Sequence, residues 1–540
     1  MINKSIKIGK YILVTALTTF AVTSCTKDFD EINTNPNSTD NPTSFGLFNY
    51  ANKAFMDNTR DGFTSGRMTL PWVQYSAQRN YTEEDKYQYR LTVANSLYTN
   101  LYAYAMDYKK IIDLNTNPAT ATIQNNYGPN ANQIAAARVM LANIFLTLTD
   151  SFGDVPYYSY GNKDSDFQAL DPSNITPKFA SQSKIYADIL KELKEAADMI
   201  KTNDVVFTNG DVLFGSGLKL KRFANSLRLR VGVRVKGVVP GAETAIQEAI
   251  ASGVMQSNED NVGLTYENTD TNPSPMWIAN AGSSILGTSA RNDFAVNKTF
   301  VELLKGNKGP FGKTDPRLFR IAAPLYANQN SVTGLNGATI YQDSTDPDDY
   351  AGMPYGVPTN GIAANQSAIG RSSLFSKYVI RKDYTEMYME YAEVEFLLSE
   401  VNGWSQVNYE NGVKASMERW GVAQADIVTY LAGLAPASKE TVLTQKYIAL
   451  FGQPYEAWSD YRRTGYPNIL LLPGQTGTYN SPVSGATTYV FQSLIPGLTD
   501  LPARFFYPTQ VQTLNTVNYQ AASQAIGGDE MKTKLIWDKN

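Results

Sequence analysis

Histidine is absent from this chain of 540 residues. Hydrolytic sites of the Ser-His-Asp or Cys-His type need an imidazole, as do most catalytic zinc sites and the usual general base near pH 7. The 38 glycines form neither GxxxxGK[ST] nor a convincing GxGxxG, so a nucleotide-phosphate loop is not expected either. Any catalysis would have to use carboxylates, lysine or tyrosine.

Cysteine occurs once, at Cys25, so neither an internal disulfide nor a thiolate metal cluster can form. A start with three lysines and a short apolar run, Tyr11 to Val22, precede it. The run is too short to span a bilayer, which takes roughly 20 helical residues, and is typical of an export signal. This arrangement resembles a bacterial lipoprotein signal, so we expect cleavage after residue 24 and a lipid on the Cys25 thiol. A leftover thiol without a role is the alternative.

Long hydrophobic runs and an excess of positive charge are also missing. Beyond the signal no stretch approaches 18 uninterrupted apolar residues, and loss of the signal's three lysines takes the formal net charge from -4 to -7. This balance gives no indication of nucleic acid as a partner. With 43% hydrophobic residues the chain can build a large core. We expect a flexible tether over residues 25–44 and one body over residues 45–540.

Apolar residues at three-and-four spacing predict a mostly α-helical scaffold at about residues 45–253 and 383–465. Successive helices suggest stacked pairs like those of tetratricopeptide arrays. Residues 254–382 and 466–540 lack a steady period and are predicted to be loop-rich, ligand-facing surface. The segments predicted to be helical are Ile134–Thr149, Ile185–Ile200, "LKLKRFANSLRLRVGVRVKG", "AETAIQEAIAS", "TEMYMEYAEVEFLLSEVNGW", "NYENGVKASMERWG" and "TVLTQKYIALFGQPYEAWSDYRRTG". The last of these is expected to break at Gly452 and to restart at Pro454.

Several segments together resemble one family. They are "CTKDFDEINTNPN" after the signal, "LTDSFGDVPYY", "FANSLRLRVGVR", "TDPRL", "YAEVEFLLSE", "QKYIALFGQPYEAWSDYRRTGYP", "LPARFFYP" and "IWD". In this order, from Cys25 to Asp538, they resemble the SusD/RagB family of nutrient-binding outer-membrane lipoproteins. The resemblance implies a mostly α-helical fold with about four tetratricopeptide-like helix pairs, long irregular loops and a few short strands.

The resemblance also implies a function and partners. It implies a surface protein that captures oligosaccharide or peptide and serves as a lid on a SusC-like TonB-dependent transporter. The acidic run after Cys25 resembles the family's signal for display on the outer leaflet. No catalytic residue and no required cofactor are expected. Most of the motifs, including Asp150–Pro156 and the arginines at 228, 230, 234, 462 and 463, are predicted to be structural, the arginines in internal ion pairs and stacks.

Sugar binding needs flat aromatic surfaces with polar side chains beside them. Two loop-like clusters meet this requirement, although core packing is the competing interpretation for every aromatic residue in them. The first holds Trp72, Gln74, Tyr75, Gln78, Arg79, Asn80 and Tyr81, and the second Trp277, Asn280, Arg291 and Asn292. We predict ligand contacts from Trp72, Gln74, Tyr75, Arg79, Tyr81, Trp277, Arg291 and Asn292.

An acidic stretch offers a weak metal candidate. Asp343, Asp346, Asp348 and Asp349 fall within seven residues, and such carboxylates can hold structural calcium. The spacing does not fit an EF-hand, so a solvated acidic loop is the favoured interpretation.

Two other functions compete with the receptor. One is a surface glycoside hydrolase using paired carboxylates, which the 51 acidic residues leave open. The other is a helical-repeat scaffold lipoprotein that holds proteins together and binds no small ligand. Within the receptor hypothesis, the sequence does not separate glycan cargo from peptide cargo.

Overall fold

A computed structural model describes residues 42–79, 81–282, 285, 293–330, 341–358, 372–481 and 485–538, with the side chains of 328–330 and 481 left aside. Cys25, the signal and most of the tether lie outside these residues, so their roles stay predictions. Residues from Ser44 onward belong to one compact unit. The further division into scaffold and ligand-facing segments also stays a prediction.

Helices dominate the described residues, as predicted. The α-helices are α1 Ser44–Thr59, α2 Leu70–Trp72, α3 Leu91–Thr116, α4 Pro118–Gln124, α5 Asn130–Phe152, α6 Gln182–Met199, α7 Gly217–Arg234, α8 Ala242–Ser252, α9 Pro275–Ala281, α10 Lys298–Leu304, α11 Leu318–Ile321, α12 Tyr391–Val401, α13 Gln406–Arg419, α14 Gln424–Ala432, α15 Lys439–Ala449, α16 Pro454–Thr464, α17 Thr509–Leu514 and α18 Thr516–Ala525. A π-helical turn, Ser65–Thr69, precedes α2.

The long helices pack on one another in chain order. Helix α1 contacts α3, α3 contacts α5, and α5, α6, α7 and α8 follow in the same way. In the second half, α12 packs against both α13 and α15. This confirms the predicted scaffold of stacked helix pairs.

Helix α5 shows how local sequence sets these elements. Its predicted apolar stripe is buried, and the helix ends where Gly153 adopts a φ of 93°, a conformation that favours glycine. By length and composition α5 could cross a membrane, but 94% of its most apolar window is buried within the protein. We therefore interpret α5 as a core helix of the scaffold.

The secondary structure differs from the prediction in two places. The segment "TEMYM", predicted as helix, is strand β4, Thr385–Met389, because it pairs antiparallel with β2, Val262–Thr265. The tail, expected to be coil, contains α17, α18 and the hairpin of β5, Thr476–Ser481, with β6, Gly485–Val490. Strands β1, Ser76–Gln78, and β3, Phe294–Val296, form a third antiparallel pair.

The arginines of the family-like motifs lie inside the scaffold, as predicted. Each meets an acid, a carbonyl or an aromatic ring, so its buried charge is compensated. The contacts are Arg228 with Glu248 at 2.6 Å, Arg230 with Glu393 at 2.5 Å, Arg234 with Asp150 and Glu456, Arg462 over the Trp458 ring at 3.5 Å, and Arg463 with Glu400 at 2.6 Å.

Candidate ligand-binding cavity

Strands β1 and β3 bring the two aromatic clusters predicted from the sequence to one place. Ser76 pairs with Val296 and Gln78 with Phe294, and the Arg79 amide donates to the Asp293 carbonyl at 2.6 Å. Beside this pair lies a cavity of about 580 Å³, a size typical of ligand sites. Its lining residues are Arg60, Asp61, Gly62, Phe63, Gly66, Arg67, Leu70, Ser76, Met276, Ile278, Ala279, Asn280, Asp293, Phe294 and Phe375.

The turn after α1 forms one wall. The Asp61 carboxylate accepts hydrogen bonds from the amides of Phe63, at 2.9 Å, and Thr64, which fixes the turn. Burial raises the pKa of Asp61, although these hydrogen bonds oppose the shift. Gly62 brings this wall close to α9, since a Cβ at that position would lie 3.1 Å from the Cβ of Ala279.

Helix α9 forms the opposite wall. Its N-cap Ser274 accepts a hydrogen bond from the Trp277 amide at 3.2 Å. The same residue is tied to the loop before β4, because its hydroxyl donates to the Arg381 carbonyl and its amide to the Lys382 carbonyl, both at 2.8 Å. Met276, Ala279 and other residues of this short helix are thereby held against the cavity.

Charged groups at the cavity are partnered. Arg67 is largely buried, donates to Glu84 at 3.0 Å and lies 3.6 Å from Asp293. Its guanidinium also lies 5.3 Å from the centroid of the Phe63 ring, within the range of a cation–π contact. These contacts hold the guanidinium rigidly beside the one exposed aromatic ring among the described lining residues.

The rest of the lining is mostly apolar. Leu70, Met276, Ile278, Phe294 and Phe375 surround the cavity, and Phe63 leaves 47% of its surface exposed. An apolar wall with a few fixed polar groups can cover the C–H faces of a sugar ring while bonding its hydroxyls. The arrangement suits a neutral or weakly polar ligand ring.

Three of the predicted contact residues are core residues, so these predictions were wrong. Trp72 is fully buried, with its ring centroid 5.2 Å from that of Trp458. Tyr75 is fully buried and stacks on Tyr447 at 4.6 Å. Gln74 is also buried, and its amide side chain exchanges two hydrogen bonds with the Leu471 backbone, at 2.7 and 3.0 Å. The polar side-chain atoms of Tyr75 and Gln74 are satisfied by distant parts of the chain, which the local sequence does not show.

The other predicted contact residues differ in how exposed they are. Arg79 is only 3% exposed, so its side chain is not open to a ligand; instead the residue supports the β1–β3 pair. Burial lowers the pKa of Arg79, while nearby Asp293 opposes the shift. Tyr81 is 50% exposed. Trp277 is half-buried on α9 with the Lys382 ammonium 5.3 Å from its ring centroid, and it does not line the cavity. Contacts from Tyr81 and Trp277 stay predictions, and Arg291 and Asn292 lie outside the described residues.

The four aspartates of the acidic stretch do not converge. Asp343 pairs with Lys377 at 3.0 Å, Asp346 caps the turn at Asp348, and Asp349 accepts from Ser344 at 2.6 Å. Asp348 points away, with its side chain 92% exposed. In the described part of the chain no group of three acidic residues is placed to hold a metal ion. This geometry favours the solvated loop.

Sequence reasoning missed Phe63 and Arg67, which lie shortly before the first cluster, beginning at Trp72. The available signal was an aromatic residue four positions before an arginine, "FTSGR", directly after the turn signal Asp61-Gly62. Asn280, which belonged to the second cluster, does line the cavity and donates to the Met276 carbonyl at 2.9 Å.

Comparisons with known protein families assign this helical scaffold to a family. Residues 36–486 match the profile of the SusD-like family described as starch-binding and associating with the outer membrane, and residues 436–538 match that of the SusD and RagB outer-membrane lipoproteins. The chain therefore belongs to the SusD-like family of outer-membrane carbohydrate-binding proteins. No curated protein matches it.

Solved structures share the fold. A chitin-binding protein is 24% identical with a TM-score of 0.67, over 92% of this chain and 100% of its own. A SusD homologue from Bacteroides uniformis is 21% identical with a TM-score of 0.66, over 92% and 99%. A homologue from Parabacteroides distasonis is 20% identical with a TM-score of 0.68, over 92% and 98%.

Proposed function

We propose that this protein is a non-catalytic surface receptor that captures oligosaccharide in the cavity between the Asp61–Arg67 turn and helix α9. The observation that carries the proposal is the fixed placement of the exposed Phe63 ring beside Arg67, within a cavity large enough for a short glycan. Membership of a family described as starch-binding supports glycan over peptide cargo. The similarity in fold to a chitin-binding protein supports the same class of cargo.

The second part of the proposal concerns anchoring and delivery. The lipoprotein-like signal supports a lipid on Cys25, with the body on the outside of the outer membrane. We propose a SusC-like TonB-dependent transporter as partner, with this protein as its lid. In this mechanism aromatic contacts hold the cargo weakly, opening of the lid exposes the cavity, and closure over the barrel commits the cargo to import.

The hydrolase alternative has one supporting observation. Two carboxylates, Asp61 and Asp293, line the cavity, and burial raises the pKa of Asp61 as a general acid would require. Against it, one Asp61 oxygen is already engaged by two backbone amides, and Asp293 lies 3.6 Å from Arg67. We therefore favour binding without cleavage, and the scaffold alternative predicts no binding at all.

Calorimetric titration tests the cargo. Maltoheptaose, chitohexaose, other neutral oligosaccharides and a set of tetrapeptides would be titrated into the purified body, followed by chromatography of the mixture. We expect binding of at least one oligosaccharide, recovered uncleaved after prolonged incubation. Shortened products would establish the hydrolase, tetrapeptide binding alone would redirect the proposal to peptides, and absence of any binding would favour the scaffold.

Native purification from membranes tests the partner. The full-length protein, extracted in mild detergent, should co-purify with a large outer-membrane β-barrel. A Cys25→Ala variant serves as the control, because it should be released from the membrane while keeping its ligand affinity. Recovery of the wild-type protein without a β-barrel would contradict its role as a lid. Recovery of the wild-type protein in the soluble fraction would contradict the lipid anchor.

A further inference from the structure

A second groove lies apart from the candidate cavity and shares none of its lining residues. It encloses about 610 Å³ between the α11 end, the β2–β4 pair and the end of α13. Its lining residues are Thr265, Arg320, Tyr378, Arg381, Asp383, Tyr384, Thr385, Met387, Arg419, Trp420 and Gly421. Three of these are arginines, and Asp383 is the one acid among them.

Two of the three arginines are neutralised by ion pairs. Arg381 forms a two-pronged ion pair with Asp383, at 2.6 and 2.8 Å. Arg419 pairs with Glu390 at 2.6 Å. Neither guanidinium is therefore a strong site for an additional anion.

Arg320 differs from both of them. Its guanidinium donates to the Gly421 carbonyl at 2.7 Å and lies 4.5 Å from the centroid of the Tyr378 ring. The carboxylate of Asp343 accepts hydrogen bonds from the Lys377 ammonium, at 3.0 Å, and the Tyr378 hydroxyl, at 2.6 Å. Although partial burial acts to raise the pKa of this carboxyl, these two groups and the more distant Arg320 charge lower it. Within the described ranges no Asp or Glu forms an ion pair with Arg320. The internal segments outside those ranges contain no acidic residue that could supply one.

The surroundings of Arg320 indicate what it could bind. A guanidinium held by a carbonyl and a ring still presents N–H groups in the planar fork that fits a carboxylate. Across the same groove, the hydroxyls of Thr265 and Thr385 lie 2.9 Å apart on neighbouring strands, and the Thr265 side is exposed. A cation next to a pair of hydroxyls complements a ring that carries both a carboxylate and hydroxyl groups.

We propose that this groove binds a uronate residue of an anionic oligosaccharide, with the carboxylate on Arg320 and ring hydroxyls on the two threonines. The inference rests on the proposed glycan-binding function and extends it from neutral to acidic sugars. The groove volume falls within the range of small-ligand sites and leaves room for the neighbouring sugar.

The test is calorimetric titration with tetramers of galacturonate, mannuronate and glucuronate-containing hyaluronan. Galactotetraose serves as the control that lacks the carboxyl groups. Methyl-esterified tetragalacturonate serves as the control that keeps these groups as uncharged esters. We expect at least one uronate tetramer to bind, with an affinity that falls as salt is raised. Arg320→Gln should weaken that binding at least about tenfold, the loss typical of one charge-assisted contact. Arg320→Lys should give an intermediate loss.

The control is the double variant Arg381→Gln with Asp383→Asn, which removes a neutral ion pair from the same groove and leaves its net charge unchanged. It should change uronate affinity much less than Arg320→Gln, with both variants keeping the thermal unfolding of the wild type. Equal binding of acidic and neutral tetramers, or uronate binding indifferent to Arg320, would overturn the inference and leave the neutral-glycan receptor intact. A peptide carboxylate that binds through Arg320 in place of uronates would also overturn it. If no oligosaccharide binds, acidic or neutral, both proposals are wrong.

Discussion

Replacement of Phe63 by alanine should weaken oligosaccharide binding without unfolding the protein. An aromatic side chain offers roughly 200 Å² of surface, and 47% exposure leaves about 90 Å² for a ligand to cover. At about 25 cal/mol per Å², complete coverage contributes about 2 kcal/mol and half coverage about 1 kcal/mol. The dissociation constant should therefore rise roughly 5- to 30-fold.

The assay is calorimetric titration of Phe63→Ala with whichever of maltoheptaose and chitohexaose the wild type binds more tightly. Tyr50→Ala is the matched control, because Tyr50 is 62% exposed on α1 and does not line the cavity. Thermal unfolding of both variants should follow the wild type. An unchanged affinity in Phe63→Ala, or an equal loss in Tyr50→Ala, would refute the assignment of the cavity.

Three further predictions concern the fold that positions the cavity. Trp72→Ala should lower the free energy of unfolding, measured by urea titration, by about 3–5 kcal/mol because its ring is fully buried. Trp277→Ala removes a half-buried ring and should lower it far less. Similar losses in the two variants would contradict the packing described. Glu393→Gln should cost about 3 kcal/mol, since it breaks the buried pair with Arg230, and a loss too small to resolve in the same assay would show that the pair is dispensable. The Asp85 carboxyl group accepts a hydrogen bond from the Gln78 amide of β1 at 3.0 Å, and burial raises its pKa to about 8 in the folded state, above its unfolded value. Its contribution to the free energy of unfolding is therefore full below about pH 4 and is lost as pH rises towards 8. Asp85→Asn should flatten this part of the pH profile, and a slope unchanged by the substitution would disprove the assignment.

Elements with a strong local period were predictable from the sequence. Helices α5 and α8 occupy the segments that their apolar spacing indicated, and α16 begins at Pro454 as expected. Strand β4 was not predictable in this way, because its residues also fit the first turns of a helix. Its conformation is decided by pairing with β2, where Thr265 and Thr385 meet across 120 residues of sequence.

The region that holds the candidate site was predictable from the sequence, but the individual residues that line it were not. The two clusters do meet, through β1 and β3, and Asn280 lines the cavity. Trp72 and Gln74 lie in a polar stretch that reads as a loop, yet their partners, Trp458 and the Leu471 backbone, come from almost 400 residues away. Which polar neighbours face water is a long-range property, so local composition could not assign the contact residues.

A crystal structure of the protein soaked with its best-bound neutral oligosaccharide tests the central claim most directly. The account predicts an intact sugar ring against Phe63, with hydroxyls near Arg67 and Asn280. A sugar bound on another face of the molecule, or a cleaved product in the cavity, would contradict it.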